Sequence, residues 1–117
     1  MTIDLQTART IIGEALAAAR GKGFKPLTVV VLDAGGHVVA AEREDGSSNK
    51  RFEIAFGKAH GALAFGMGSR ALMARAEQQP YFIAAATAAV GGSLIPVPGG
   101  VLVRDGAGTL LDRKSVV

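Results

Sequence analysis

Leu27-Thr28-Val29-Val30-Val31-Leu32-Asp33-Ala34-Gly35-Gly36-His37-Val38-Val39-Ala40-Ala41-Glu42 is the stretch that decides the fold. Leu27 to Leu32 is β-branched and apolar, bounded by Pro26 and Asp33, and reads as a strand. Asp33-Ala34-Gly35-Gly36 is turn chemistry, and His37 to Glu42 returns as the second strand of a hairpin. Both runs are almost continuously apolar, so the sheet they start must be covered on at least one face.

Upstream, Asp4 is placed to cap a helix running to about Arg20. Leu5, Ala8, Ile12, Ala15, Leu16 and Ala19 fall on one face of it, and Gly21 and Gly23 end it. Downstream, Glu42 to Arg51 reads as a solvated loop whose Glu42, Glu44 and Asp45 are loop charges. Ser48 or Asn49 is expected to cap a second helix reaching about Phe65, with Ile54, Ala55, Ala59, Ala62 and Leu63 on its apolar face. Gly57 and Gly61 lie one turn apart on it, which lets another segment approach its backbone closely. Ser69 is expected to cap a third helix that ends before Pro80. Pro80 opens a short fourth helix that stops at Gly91-Gly92. Val101-Leu102-Val103 and Leu110-Leu111 then form a last hairpin around Asp105-Gly106-Ala107-Gly108. The order α-β-β-α-α-α-β-β, with hairpins segregated from helices, predicts an α+β fold on an antiparallel sheet.

The 117 residues suit one domain, and 49% hydrophobic with 20% charged composition is globular. Without cysteine, disulfides and thiolate ligands are excluded. Met1-Thr2-Ile3-Asp4 carries neither a basic nor an apolar leader region, and the richest apolar run, Tyr81 to Val90, is too short to span a bilayer. A cytoplasmic protein with no membrane contact is the expectation. Net charge is only +3 with scattered basic residues, and aromatics are 5%, so neither a nucleic-acid footprint nor a base-stacking platform is present.

Gly66-Met67-Gly68-Ser69-Arg70-Ala71 fits G-x-G-x-x-A, but a helix precedes it instead of a strand, so it reads as a break between helices. His60, on the second helix, is either a ligand or proton carrier or a hydrogen-bonded helix residue; His37 reads as a hairpin-end residue. Pro96-Val97-Pro98-Gly99-Gly100 combines fixed and unrestricted backbone. It either offers N–H groups to a carboxylate or leads rigidly into the last hairpin. Lys58 and Arg51 add positive charge for an acidic ligand, or are a solvated helix face.

Four stretches taken together resemble the GlcG/HbpS-like family of haem-binding proteins, which also supplies the C-terminal domain of PduO-type corrinoid adenosyltransferases. They are Val30 to Val39 with its Asp33-Ala34-Gly35-Gly36 turn, Ile54 to Ala59 with Lys58-Ala59, Ala64-Phe65-Gly66, and Pro96 to Val101. The resemblance implies an antiparallel sheet flanked by helices, profilin-like or roadblock-like, in a homo-oligomer. It also implies haem as cofactor. On that basis the cofactor-binding residues are expected to be His60, Lys58, Pro98, Gly99 and Gly100, with His60 on the metal. A rival reading is an enzyme on a small acidic metabolite or corrinoid with Lys58 or His60 as acid–base group. Another is a structural assembly subunit.

The chain departs from the family after the last turn. The family continues there with a long strand resembling G-A-x-G-V-S-G and a C-terminal helix, whereas this chain has Asp112-Arg113-Lys114-Ser115-Val116-Val117. The codons GAT CGG AAG AGC GTC GTG encode that hexapeptide and coincide with the start of a common sequencing adapter, whose next codon is a stop. Residues 1–111 are therefore expected to be one incomplete domain lacking its last strand and helix, and residues 112–117 a non-native tail.

Overall fold

Two strands, β1 (Thr28–Asp33) and β2 (Val38–Arg43), form the first hairpin. The computed structural model describes residues 3–104 and 110–116. The hairpin is antiparallel from Thr28 opposite Arg43 to Leu32 opposite Val38, with an irregularity between Val31 and Leu32. Its turn is built by Asp33: Oδ1 accepts the N–H groups of Gly35 and His37, each at 2.9 Å. Gly36 takes φ 85°, a conformation that L side chains rarely adopt. The backbone hydrogen bond from His37, with help from the His37 ring and Gly35, holds the Asp33 carboxyl below its ordinary value.

Helix α1 (Leu5–Gly21) starts where expected, with the Asp4 carboxylate accepting the Thr7 N–H at 2.7 Å. Its inward residues Ala8 and Ile12, joined by Ile3, pack on Val29 and Val31 of β1. On the other side of the sheet, α2 (Arg51–Phe65) sets Ala55 and Ala59 against Val30 and Leu32. β1 is thus buried on both faces, which is why its sequence does not alternate. Helices α3 (Ser69–Gln78) and α4 (Pro80–Ala89) form a separate cluster in which Leu72, Ile83, Ala86 and Leu94 are buried. Among the described residues no helix is long and apolar enough to cross a membrane.

The second hairpin is β3 (Gly100–Arg104) and β4 (Leu110–Val116), and the sheet order is β2-β1-β4-β3 with every neighbour antiparallel. β4 therefore lies in the middle of the sheet. It runs through the charged stretch that the sequence had treated as replacing the last strand, with Leu32 opposite Arg113 and Val31 opposite Lys114. A ladder is made by backbone groups that every residue except proline carries, so the slot beside β1 is filled in spite of side-chain type. The expected turn at Asp105 to Gly108 lies outside the described residues, and no helix follows β4 among the described ones.

Two helix starts differ from expectation. Lys50, not Ser48 or Asn49, precedes α2, and no side chain caps it; the Ser48 carbonyl accepts the Arg51 N–H instead. Gly68 precedes α3, leaving Ser69 as its first residue with its hydroxyl engaged elsewhere. The loop after β2 is also less solvated than expected. Glu44 accepts the Leu27 N–H at 2.8 Å and pairs with Arg20 at 3.2 Å, and buried Ser47 bonds Thr28.

Candidate functional site on helix α2

Gly57 and Gly61 do admit a segment against the α2 backbone, and that segment is Ser93 to Gly100. A Cβ on Gly57 would lie 2.5 Å from Ile95 Cγ1, and one on Gly61 would collide with Leu94 Cδ1. The Ile95 N–H donates to the Gly57 carbonyl at 3.2 Å. The glycine pair therefore serves as a groove for the chain leading into β3.

His60 sits at the edge of this contact. Its Nδ1 is 2.9 Å from the Ser93 carbonyl, and its ring stacks on Phe56 with centroids 5.3 Å apart. A carbonyl only accepts, so Nδ1 carries the proton, and in the neutral ring Nε2 keeps its lone pair. Among the described residues Nε2 has no hydrogen-bond partner. The ring borders an open cleft of about 170 Å³ lined by Ala34, Gly35, Gly36, Leu63 and Ala64, which brings the hairpin turn and α2 together. A nitrogen oriented through its opposite ring N–H is the arrangement that imidazole ligands use. No group of three or more His, Asp or Glu that could hold a metal occurs among the described residues. The cleft is smaller than the roughly 300–1,000 Å³ of sites that enclose a ligand, so it can seat only part of a haem.

His37 lies across the same turn but is paired with Asp33 at 3.1 Å and exposed, as a hairpin-end residue would be. Lys58 is 8% exposed instead of lying on a solvated face; burial, and then the neighbouring Arg51 charge, push its ammonium below the usual lysine range. Its side chain leaves α2 about 200° from that of His60, so the two do not meet. Pro98 and Gly99 are half-buried, and Gly99 takes φ 130°. The Gly100 N–H is already taken: it donates to the Ser69 hydroxyl at 2.7 Å in a buried contact. A Cβ on Gly100 would stand 2.6 Å from the Lys58 carbonyl oxygen. Gly100 thus leads the chain into β3, held by a serine whose role the sequence did not signal. A second open cleft, about 450 Å³, lies at the far end of the hairpin between Arg20, Pro26, Arg43, Glu44 and Asp45, where charges of both signs face each other.

No curated protein matches the chain. Among the solved structures that match over its full length are the following three. The Klebsiella pneumoniae protein ORFY, of the DUF336 family, is 20% identical over 79% of its own chain, with a TM-score of 0.87. A complex of PduOC with heme is 19% identical over 83%, with a TM-score of 0.85. A double mutant of Streptomyces reticuli HbpS is 23% identical over 75%, with a TM-score of 0.83. At these identities the three share the fold, which is the α+β arrangement expected from the sequence. Residues 3–110 match the family described as "Haem degrading protein HbpS-like", and this chain belongs to that family.

Proposed function

We propose that the protein binds haem, with His60 Nε2 on the iron, as a cytoplasmic homo-oligomer that is not itself an enzyme. The observation that carries this reading is the free, pre-oriented Nε2 of His60 at the rim of an open cleft. The heme found with PduOC, a neighbour of the same fold, agrees with it. Lys58 on α2 would supply charge to acidic groups of the ligand; on the segment leading into β3, Gly99 would supply a backbone N–H and Pro98 would hold the chain rigid. A cleft too small to enclose haem leaves its outer wall to a second copy, and exposed Tyr81, Val97 and Val101 offer apolar surface for such contact.

Haem titration followed at the Soret band tests the reading. His60→Ala should weaken binding and move the band, because the axial nitrogen sets the iron's spin state, whereas His37→Ala should leave both near the parent values. Equal spectra and affinities for parent and both variants would remove His60 from the site.

A further inference from the structure

The open cleft of about 450 Å³ lies at the opposite end of the β1–β2 hairpin from His60, where Thr28 pairs with Arg43. Arg20, Pro26, Arg43, Glu44 and Asp45 line it, and its volume falls within the roughly 300–1,000 Å³ of small-molecule sites. Its walls are held by hydrogen bonds. Glu44 accepts the Leu27 N–H on one oxygen and pairs with Arg20 on the other, and Arg20 also donates to the Lys25 carbonyl at 3.0 Å. The Glu44 N–H in turn donates to the Leu27 carbonyl at 3.0 Å. Gly46, at φ 86°, brings the loop so close to Pro26 that a Cβ there would stand 3.3 Å from Pro26 Cγ. Buried Ser47 bonds Thr28 of β1 at 2.9 Å, and Arg43 Nη1 donates to the Ser47 carbonyl at 2.7 Å.

Within this frame the four charges are used unequally. Arg20 and Glu44 neutralise each other. Arg43 spends one N–H on the Ser47 carbonyl and has no ion-pair partner among the described residues, although Asp45 is two residues away. The Asp45 side chain has neither a hydrogen bond nor an ion pair among them. We propose that the cleft binds a small zwitterion of the α-amino-acid class, with its carboxylate on the remaining N–H groups of Arg43 and its ammonium on Asp45. The charge balance selects this class. A lone carboxylate on Arg43 would also face Asp45 and Glu44, and a lone ammonium on Asp45 would also face Arg20 and Arg43; a zwitterion meets each open charge with its opposite. A guanidinium has five N–H donors, so Arg43 can hold the Ser47 carbonyl and a carboxylate together. Pro26 supplies an apolar wall for the ligand's carbon atoms. The site shares no lining residue with the His60 cleft and does not depend on the haem reading.

The test is an NMR titration of the ¹⁵N-labelled full chain with L-alanine, and separately with propionate and with ethylamine, at equal ionic strength. The reporters are the amides of Asp45, Gly46 and Ser47 and the Arg43 Nε–H. L-alanine should move them saturably, whereas propionate and ethylamine, each carrying one of its two charges, should bind more weakly. Asp45→Asn removes a carboxylate that bonds nothing in the fold, so it should fold as the parent does and bind L-alanine about tenfold more weakly, the worth of one charged hydrogen bond. Glu42→Gln, on β2 and outside the cleft, should bind as the parent does. A parent chain whose shifts do not saturate with L-alanine overturns the proposal whatever the variants do. So does propionate or ethylamine binding as tightly as L-alanine, or an Asp45→Asn chain that binds it undiminished. None of these titrations involves haem, so failure of the haem reading and failure of this one are separable.

Discussion

Ser69→Ala isolates one atom that joins two distant parts of the chain. The Ser69 hydroxyl is fully buried, accepts the Gly100 N–H at 2.7 Å, and lies 3.4 Å from the Gly100 carbonyl, across a sequence separation of 31. Alanine keeps the helix start but leaves the Gly100 N–H without an acceptor in a place water does not reach. An orphaned buried donor costs about 1–3 kcal/mol. For a chain of this length each kcal/mol lowers Tm by about 4 °C, so the expected drop is about 4–12 °C. The neighbouring Arg70→Ala, at an exposed position on the same turn, should stay within about 0.5 kcal/mol of the parent. Circular dichroism melts give the Tm, and amide hydrogen exchange reads Gly100 directly: its protection should fall more in Ser69→Ala than that of Val29 to Leu32 in β1. A Tm within 1 °C of the parent with Gly100 still protected would refute the reasoning, because it would show that another acceptor or water serves that amide.

Other outcomes follow from the same geometry. Gly99→Val should cost on the order of 1–3 kcal/mol, because φ 130° is closed to a β-branched residue; a melt matching the parent would show that the segment relaxes freely. Lys58, depressed below 10.5 chiefly by burial and then by Arg51, is deprotonated in the fold at pH values where the unfolded chain still holds the proton. Stability should therefore rise with pH between the depressed folded value and 10.5, and be lost as pH falls through the folded value. Denaturant titrations of Lys58→Met should lack that slope, and parallel pH profiles for the two chains would count against it. We propose further that Asp112 to Val117 is a non-native tail, of which Asp112 to Val116 fills the central slot of the sheet beside residues of β1 that are fully buried. Replacing it with an apolar strand and a following helix should raise Tm and suppress aggregation, each newly buried large side chain adding roughly 1.5–3 kcal/mol. The idea fails if the 117-residue chain melts reversibly as a discrete species no less stable than the extended one.

Local chemistry was enough for much of this protein. The Asp33 turn, the Asp4 cap, the proline start of α4 and the glycine groove on α2 each follow from what a few adjacent residues can do, and each is where the sequence places it. The continuous apolar run of Val29 to Leu32 likewise announces a strand with no wet face. What no window of residues contains is which distant group will stand beside it. Leu110 to Val116 carries no pattern that marks a central strand, because its place depends on the ladder that β1 leaves open. Ser69 looked like a helix cap and Glu44 like a loop charge, yet one serves an amide 31 residues away and the other an amide 17 residues away. The direction of His60 toward the turn arises in the same way. Helix periodicity sets the angle at which each side chain leaves α2, but only the packing of the Ser93 to Gly100 segment decides that the Nδ1 of His60 is tied to a carbonyl and its Nε2 is left free at a cleft.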